Sequence, residues 1–531
     1  RARVCARLAV HMKEQSFIKG ALIISVGGIA AKILGAFYRI PLANALGGEG
    51  MGIYQMVYPL YCLLLTLAAT GIPSGLCRIV AHAEAVGKDS SGILRRALLV
   101  FSLIGAAGSV LMFALAPVMS AVQREPGAET AYRMLAPGVF AVAAISCFRG
   151  YFQGKGNFFP TALSEVLEQL VKVGLGLFFA YAYRGNTVRA VAYALLAVTV
   201  SEAVAAAFMF VFYRVYKRRA PHTGEPVEKP GAWKLVRFIL PVAVAAGVLP
   251  LSNIVDSIVI VHMIGRHSGN ATALYGVFSG GANTLVNLPI SVCYGLAAAI
   301  IPLICSLYAK GEISEAEKKI CFALKCTFFV SLPAAAFLFA FPSQTAAFLF
   351  GAVTGEEGAW LVRLIRIMSF GAVLLSAVQT LSACLTGRGK PKIAAISMTA
   401  GETVKISLEL LLVRIPGISV SGAAIAAICC YFVALLVNLL YSIRDKKNLA
   451  RTMFELARFA CLAAVAAAVA YPLRTMNVLV PLAVMAAVYI PLCVLLRCFS
   501  REELGIFGRR KGHDNHSRAG VRPGRSDGGR K

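Results

Sequence analysis

Charge is scarce in this sequence, and negative charge scarcest: 15% of its 531 residues are charged, with 25 Asp+Glu against 53 Lys+Arg. A soluble globular chain carries about 25% charged residues. The shortage is matched by 58% apolar residues and a mean hydropathy of +0.73. One soluble core cannot hide so much, since cores stop growing at ~250–300 residues. An ordinary cytosolic enzyme is excluded, as is disorder, which needs low hydrophobicity. The 14 cysteines form no CxxC pair, and with the seven histidines no cluster at metal spacing. They read as small buried hydrophobes rather than a disulfide framework, and no metal site is expected. The glycine pattern "GKG" lacks the spacing of a phosphate loop and no Walker lysine-serine follows it. No catalytic residue, cofactor or ATP site is therefore expected. A small-residue cleavage site is also missing after the first apolar run, which leaves that run as a signal-anchor. Residue 1 is Arg, and Met12 opens "MKEQSFIKG" like a natural start, so residues 1–11 read as an upstream extension.

What is present is a series of long apolar runs. A membrane helix needs roughly 20 of them in a row, and about fourteen such runs occur: 17–42, 52–81, 93–121, 132–152, 159–183, 187–213, 235–264, 272–308, 320–342, 359–385, 391–413, 417–442, 453–473 and 477–498. The fold class expected is all-α: a polytopic membrane protein. Pro241 and Pro250 in span 7, and Pro289 and Pro302 in span 8, predict kinks. The net charge of +28 does not mark a nucleic-acid binder, because the basic residues sit in the short gaps between spans. One set of alternate gaps carries about 27 Lys+Arg and the other about 7. The positive-inside rule then places both termini in the cytoplasm of a cell-membrane protein.

The Pro- and charge-rich stretch after residue 216 divides six spans from six. The organisation expected is an N-terminal cytoplasmic segment (1–16), an N-lobe (17–216), a cytoplasmic linker (217–234), a C-lobe (235–449), two further helices (450–498) and a basic disordered tail (499–531). The lobes repeat one another. "FQGKGNFFPTALSEVLEQLVKVG" (152–174) aligns with "LTGRGKPKIAAISMTAGETVKIS" (385–407) at an offset of 233, matching Gly154/Gly387, Gly156/Gly389, Ala162/Ala395, Ser164/Ser397 and Lys172/Lys405. Both loops fall on the cytoplasmic side, so the repeat is parallel, and transporters built this way hold substrate between their halves.

"YRIPLANALGGEGMGIYQMVYPLY" (38–61), followed by "ATGIPSGLCRIVA" (69–81), resembles the opening of the stage V sporulation protein B and polysaccharide-biosynthesis branch of the multidrug/oligosaccharidyl-lipid/polysaccharide (MOP) flippase superfamily. The stretch after span 4 is similar to that branch too. The resemblance covers residues 17–498. It implies two six-helix lobes plus two C-terminal helices around a central cavity. It further implies movement of an undecaprenyl-linked oligosaccharide or peptidoglycan precursor from the inner to the outer leaflet by alternating access. Lipid II flippases of this superfamily use cavity arginines on helices 1, 2 and 8; here span 8 has no arginine, Arg266 lying just before it.

Ionisable groups inside spans are costly, roughly 2.5–3.5 kcal/mol each, so their positions point to a pathway. Arg39 near the outer end of span 1 and Arg78 near the inner end of span 2 match a pyrophosphate by fork geometry and permanent charge; the competing reading is snorkelling to the nearer headgroups. Asn253 and Asp256 on span 7, and Asn283 and Asn287 on span 8, each lie one turn apart, as sugar-binding groups or as an interhelical polar cluster. Asp256 is also the candidate for ion coupling by H+ or Na+. Glu165, Glu168 and Lys172 share a helical face, with Glu168→Lys172 at i,i+4; Glu402, Lys405 and Glu409 repeat the arrangement, and both sets read as structural neutralisation of a lysine. The leading function is a flippase for a lipid-linked oligosaccharide, working as a monomer among membrane lipids. The alternatives are a cation-coupled multidrug exporter of the same architecture and a non-transporting scaffold for wall synthesis. A basic cavity favours the first, because cationic drugs want an acidic one.

Overall fold

The computed structural model describes residues 2–69, 71–86, 88–219, 247–351, 353–443 and 445–499, with their side chains apart from 2–26, 29, 30, 32, 33, 36, 219 and 294–303. Pro241, the linker beyond Arg219 and the tail beyond Phe499 lie outside the described residues. The described residues are helical and contain no strand. Helix α1 (Ala2–Ala69) is two helices joined at Gly47, whose φ of 69° is a left-handed value that glycine adopts without strain. It is followed by α2 (Ile72–Ala85), α3 (Ser91–Val122), α4 (Ala128–Leu135), α5 (Pro137–Gly154), α6 (Phe159–Ala182) and α7 (Thr187–Arg219). The second half runs α8 (Val248–Ile264), α9 (Ala271–Gly276), a π-helical segment (Val277–Ala282), α10 (Asn283–Ala309), α11 (Ile313–Ala340), α12 (Pro342–Leu349), α13 (Gly355–Gly387), α14 (Pro391–Leu412), α15 (Val420–Ser442), α16 (Lys446–Ala470) and α17 (Leu479–Leu495).

The breaks differ from those the prolines suggest. Pro250 lies in the first turn of α8, where its missing N–H leaves no helical bond unmade. Pro289 and Pro302 are carried within α10. Span 8 is interrupted instead at Ser279-Gly280-Gly281, inside the π-helical segment. There a Cβ on Gly280 would stand 2.6 Å from Met51 Cε, so the extra residue of the π turn and the missing side chain together admit a side chain of α1. Within span 2, α1 ends at Ala69 and α2 begins at Ile72, just ahead of Pro73.

By length and composition eight described helices can cross a bilayer, with Val248–Ile264 and Leu479–Leu495 as shorter apolar helices. Helices α6 and α14 fall outside that set because each carries three or more ionisable groups. The large apolar side chains left exposed, among them Leu103, Val110, Phe178, Leu411, Leu440 and Leu495, are what a lipid-facing surface requires. This is a multi-pass membrane protein.

The repeat seen in the sequence is present in the backbone. Gly156 and Gly389 both take positive φ, 74° and 76°. Asn157 N–H donates to the Phe152 carbonyl and Lys390 N–H to the Leu385 carbonyl, each at 2.9 Å. Ser164 Oγ donates to the Thr161 carbonyl and Ser397 Oγ to the Ala394 carbonyl. Every pair is separated by 233 residues.

The two halves meet through α1, which packs on α8, α9, the π-helical segment and α10. Four hydrogen bonds among the described residues join them: Asn44 Nδ2 to the Leu349 carbonyl (2.6 Å), Gln55 Nε2 to the Ser279 carbonyl (3.4 Å), Gln123 Nε2 to Ser257 Oγ (2.9 Å) and Thr272 Oγ1 to Glu125 Oε2 (2.7 Å). The backbones touch at glycines. A Cβ on Gly276 would overlap the Gly48 carbonyl oxygen and stand 2.9 Å from Gly52 Cα. A second apolar cluster, containing Phe337, Phe459 and Tyr489, fastens α16 and α17 to the C-half.

Candidate functional site

In the N-half, Arg39 is half-buried on α1. Tyr54, Tyr58, Cys62 and Lys172 lie within its electrostatic reach, and Tyr54, Tyr58 and Tyr61 form a row of rings with centroids 5.6 and 5.8 Å apart. The i,i+4 pairing expected of Glu168 and Lys172 is not made. Glu168 Oε2 instead accepts from Arg149 Nη2 of α5 at 3.0 Å, and Arg149 Nε also reaches Ser164 Oγ at 3.0 Å. The guanidinium fork holds carboxylate and hydroxyl together through two separate nitrogens. Glu202, which has no partner evident in the sequence, accepts from Tyr61 Oη. Arg39 and Lys172 are thus two half-buried cations that make no ion pair among the described residues, with Glu168 and Glu202 within electrostatic reach of Lys172.

Arg78 is exposed on α2, which packs on α5. Asn253 is exposed while Asp256, one turn on, is buried, so these two do not form one polar set. Asn283 and Asn287 bond to each other: Asn287 Nδ2 donates to the Asn283 carbonyl at 2.8 Å and reaches its Oδ1 at 3.4 Å.

Asp256 belongs to a group that sequence spacing does not reveal. Its Oδ2 lies 2.5 Å from Lys405 Nζ, which also lies 2.9 Å from Glu402 Oε2. Ser252 Oγ donates to that same Glu402 oxygen at 2.5 Å. The lysine of α14 is thus neutralised partly by its own helix and partly by α8. The repeat differs at Lys172, which makes no such ion pair among the described residues. At the offset of 233, Glu402 corresponds to Gln169 and Glu409 to Gly176. The N-half copy has lost both carboxylates that stand near Lys405, and a Cβ at Gly176 would collide with the phenol of Tyr38. The signal that finds this group in the sequence is the Lys172/Lys405 match.

An apolar cavity of about 530 Å³ opens among α10, α11, α12 and α17, lined by Leu288, Val292, Phe329, Phe337, Met485 and Tyr489 among others. Cavities of this size hold a small organic chain.

The family model described as "Polysaccharide biosynthesis protein" matches residues 17–308, more than half of the chain. The chain belongs to that family. A second family model, MatE, matches residues 241–411. The family member is 28% identical over 433 residues to stage V sporulation protein B of Bacillus subtilis (strain 168), covering 78% of this chain and 82% of the relative. It is 23% identical over 449 residues to the lipid II flippase MurJ of the same organism, covering 80% and 82%. Among solved structures it resembles lipid II flippase MurJ in an inward closed conformation, with a TM-score of 0.69 and 14% identity, over 90% of this chain and 99% of that one. It also resembles an inward-facing multidrug resistance MATE family transporter of the MOP superfamily, with a TM-score of 0.66 and 19% identity, over 80% and 95%. The fold is that of the MOP-superfamily membrane transporters.

Proposed function

We propose that this family member is a flippase that moves an undecaprenyl-linked oligosaccharide or peptidoglycan precursor from the inner to the outer leaflet of the cell membrane. It works as a monomer with both termini cytoplasmic, by alternating access between an N-lobe (17–216) and a C-lobe (235–449). The observation that carries the reading is the pair Arg39 and Lys172. Two half-buried cations that make no ion pair among the described residues, beside a row of tyrosines, suit a diphosphate bearing a sugar, since charge pairing away from bulk water is far less screened. Arg78 at the inner rim is the first contact, with Asn253, Asn283 and Asn287 as groups for sugar hydroxyls. The apolar cavity beside α17 suits the proximal isoprene units. H+ or Na+ coupling runs through Asp256. A cationic drug would want an unneutralised carboxylate, whereas Asp256 and Glu402 of the C-half are held by Lys405.

The test is leaflet exchange of a fluorescent undecaprenyl diphosphate-linked sugar in liposomes holding the full chain. Arg39→Ala and Lys172→Ala are each expected to lower the initial rate about tenfold, equivalent to ~1.4 kcal/mol, and Arg39→Lys to restore it in part. Met485→Trp, which fills the apolar cavity, should slow the long-chain lipid more than a short-chain analogue. Wild-type rates in both alanine variants would sink the proposal.

A further inference from the structure

The buried group around Lys405 holds more carboxylate than the lysine can satisfy. Three carboxylates, Asp256, Glu402 and Glu409, face one ammonium. Ser252 and Lys405 occupy Glu402, and Lys405 takes Oδ2 of Asp256. Asp256 Oδ1 and both oxygens of Glu409 are buried and have no hydrogen-bond donor among the described residues. Glu409 is 0% exposed and Asp256 7%, and the two side chains lie within hydrogen-bonding reach of each other.

Two ionised carboxylates can only accept. Placed in contact away from water, they repel, and one is driven to bind a proton. The remaining surroundings supply no alternative. Tyr275 of α9 and Cys430 and Tyr431 of α15 complete the electrostatic surround, along with Ser252 of α8. Among the described residues no three His, Cys, Asp or Glu side chains converge as metal ligands. The place a bound cation would take beside Asp256 is filled by the lysine's own ammonium.

We infer that Asp256 and Glu409 form a carboxyl–carboxylate pair that binds one proton between Asp256 Oδ1 and Glu409, and that Lys405 excludes an alkali cation from the site. This rests on the reading of Asp256 as the coupling residue and names its ion. The bound proton converts two acceptors into one donor and one acceptor, and removes one of the two excess negative charges in the cluster. Loss of that proton leaves Asp256 and Glu409 repelling across the contact between α8 and α14, so occupancy is linked to how those helices pack. The pair is confined to the C-half, because the residue aligned with Glu409 is Gly176.

The test is infrared spectroscopy of the full chain in liposomes, followed against pH at fixed salt and against NaCl at fixed pH. The wild type should show the carbonyl stretch of a protonated carboxyl at neutral pH, shifted down in D2O and unmoved by Na+. Glu409→Gln and Asp256→Asn should each lose it. Glu409→Asp, which keeps a carboxyl one methylene shorter, should retain it at a shifted frequency and guards against misfolding in the amides. Absence of the band in the wild type, its persistence in both amide variants, or its removal by Na+ would overturn the proposal. No substrate enters the measurement, so this result stands apart from the leaflet-exchange rates of the Arg39 and Lys172 variants.

Discussion

Lys405 Nζ stands 2.5 Å from Asp256 Oδ2, joining α14 to α8, while Lys172, the residue that matches it at an offset of 233, makes no ion pair among the described residues. One ancestral lysine position thus has two fates. In the C-half it is held as a structural cation. In the N-half it makes no ion pair among the described residues.

The first prediction follows from that ion pair. Truncating one partner of a buried pair leaves an uncompensated charge and costs about 3–5 kcal/mol, whereas removing both together costs far less. Lys405→Ala should therefore lower the thermal unfolding midpoint sharply in detergent. The combined variant Lys405→Met, Asp256→Leu, Glu402→Gln and Glu409→Gln, which leaves no charge in the cluster, should recover part of the loss. A combined variant as unstable as the single one would show that uncompensated charge is not the source of the loss.

The second prediction concerns orientation. A reporter fused after Lys447 should read cytoplasmic, and one within "GAVTGEEG" (351–358) extracellular, since that loop has no Lys or Arg to retain it inside. A cytoplasmic readout at 351–358 would overturn the alternation of sides on which the inner-to-outer direction of transport depends.

The sequence made the helical membrane class, the spans and the repeat legible, because hydropathy and a loop of Gly-basic-Gly survive any tertiary rearrangement. It misplaced the break in span 8. Proline rings are visible in a sequence, but the π turn at Gly280 packs against Met51 of another helix, a contact no local pattern encodes. The same limit governed the site. Glu168 and Lys172 have ideal helical spacing, yet Arg149 of α5 takes the glutamate, since a forked donor in the right place outbids a point charge on the same helix. Asp256 stood out as a lone acid in an apolar run, but its partner Lys405 lies 149 positions away. Arg39 is half-buried, as its place in span 1 suggests.

The last prediction tests alternating access at the contact between the halves. Gly48, Gly52 and Gly276 let two backbones touch, and the Thr272–Glu125 and Gln123–Ser257 hydrogen bonds flank them. In the orientation proposed, this contact lies at the outer ends of the helices, so the structure is closed toward the outside. A methyl at Gly276 would overlap the Gly48 carbonyl oxygen and press on Gly52 Cα at 2.9 Å. Both obstacles are backbone atoms that no rotamer change can move. Gly276→Ala should therefore weaken the closed contact without disturbing the interior of either half, because the glycine faces the other half and not its own core. The expected result is a gain of several-fold in the labelling rate of a cysteine placed at Gln55, measured with a membrane-impermeant thiol reagent added outside. Transport should fall as well, since a gate that cannot close cannot load from the inner leaflet. Restoring room on the other side does not offer a rescue, because Gly48 and Gly52 already lack side chains. Should Gly276→Ala leave both labelling and transport at wild-type levels, the glycine contact would be a packing detail and the gate would have to be sought elsewhere.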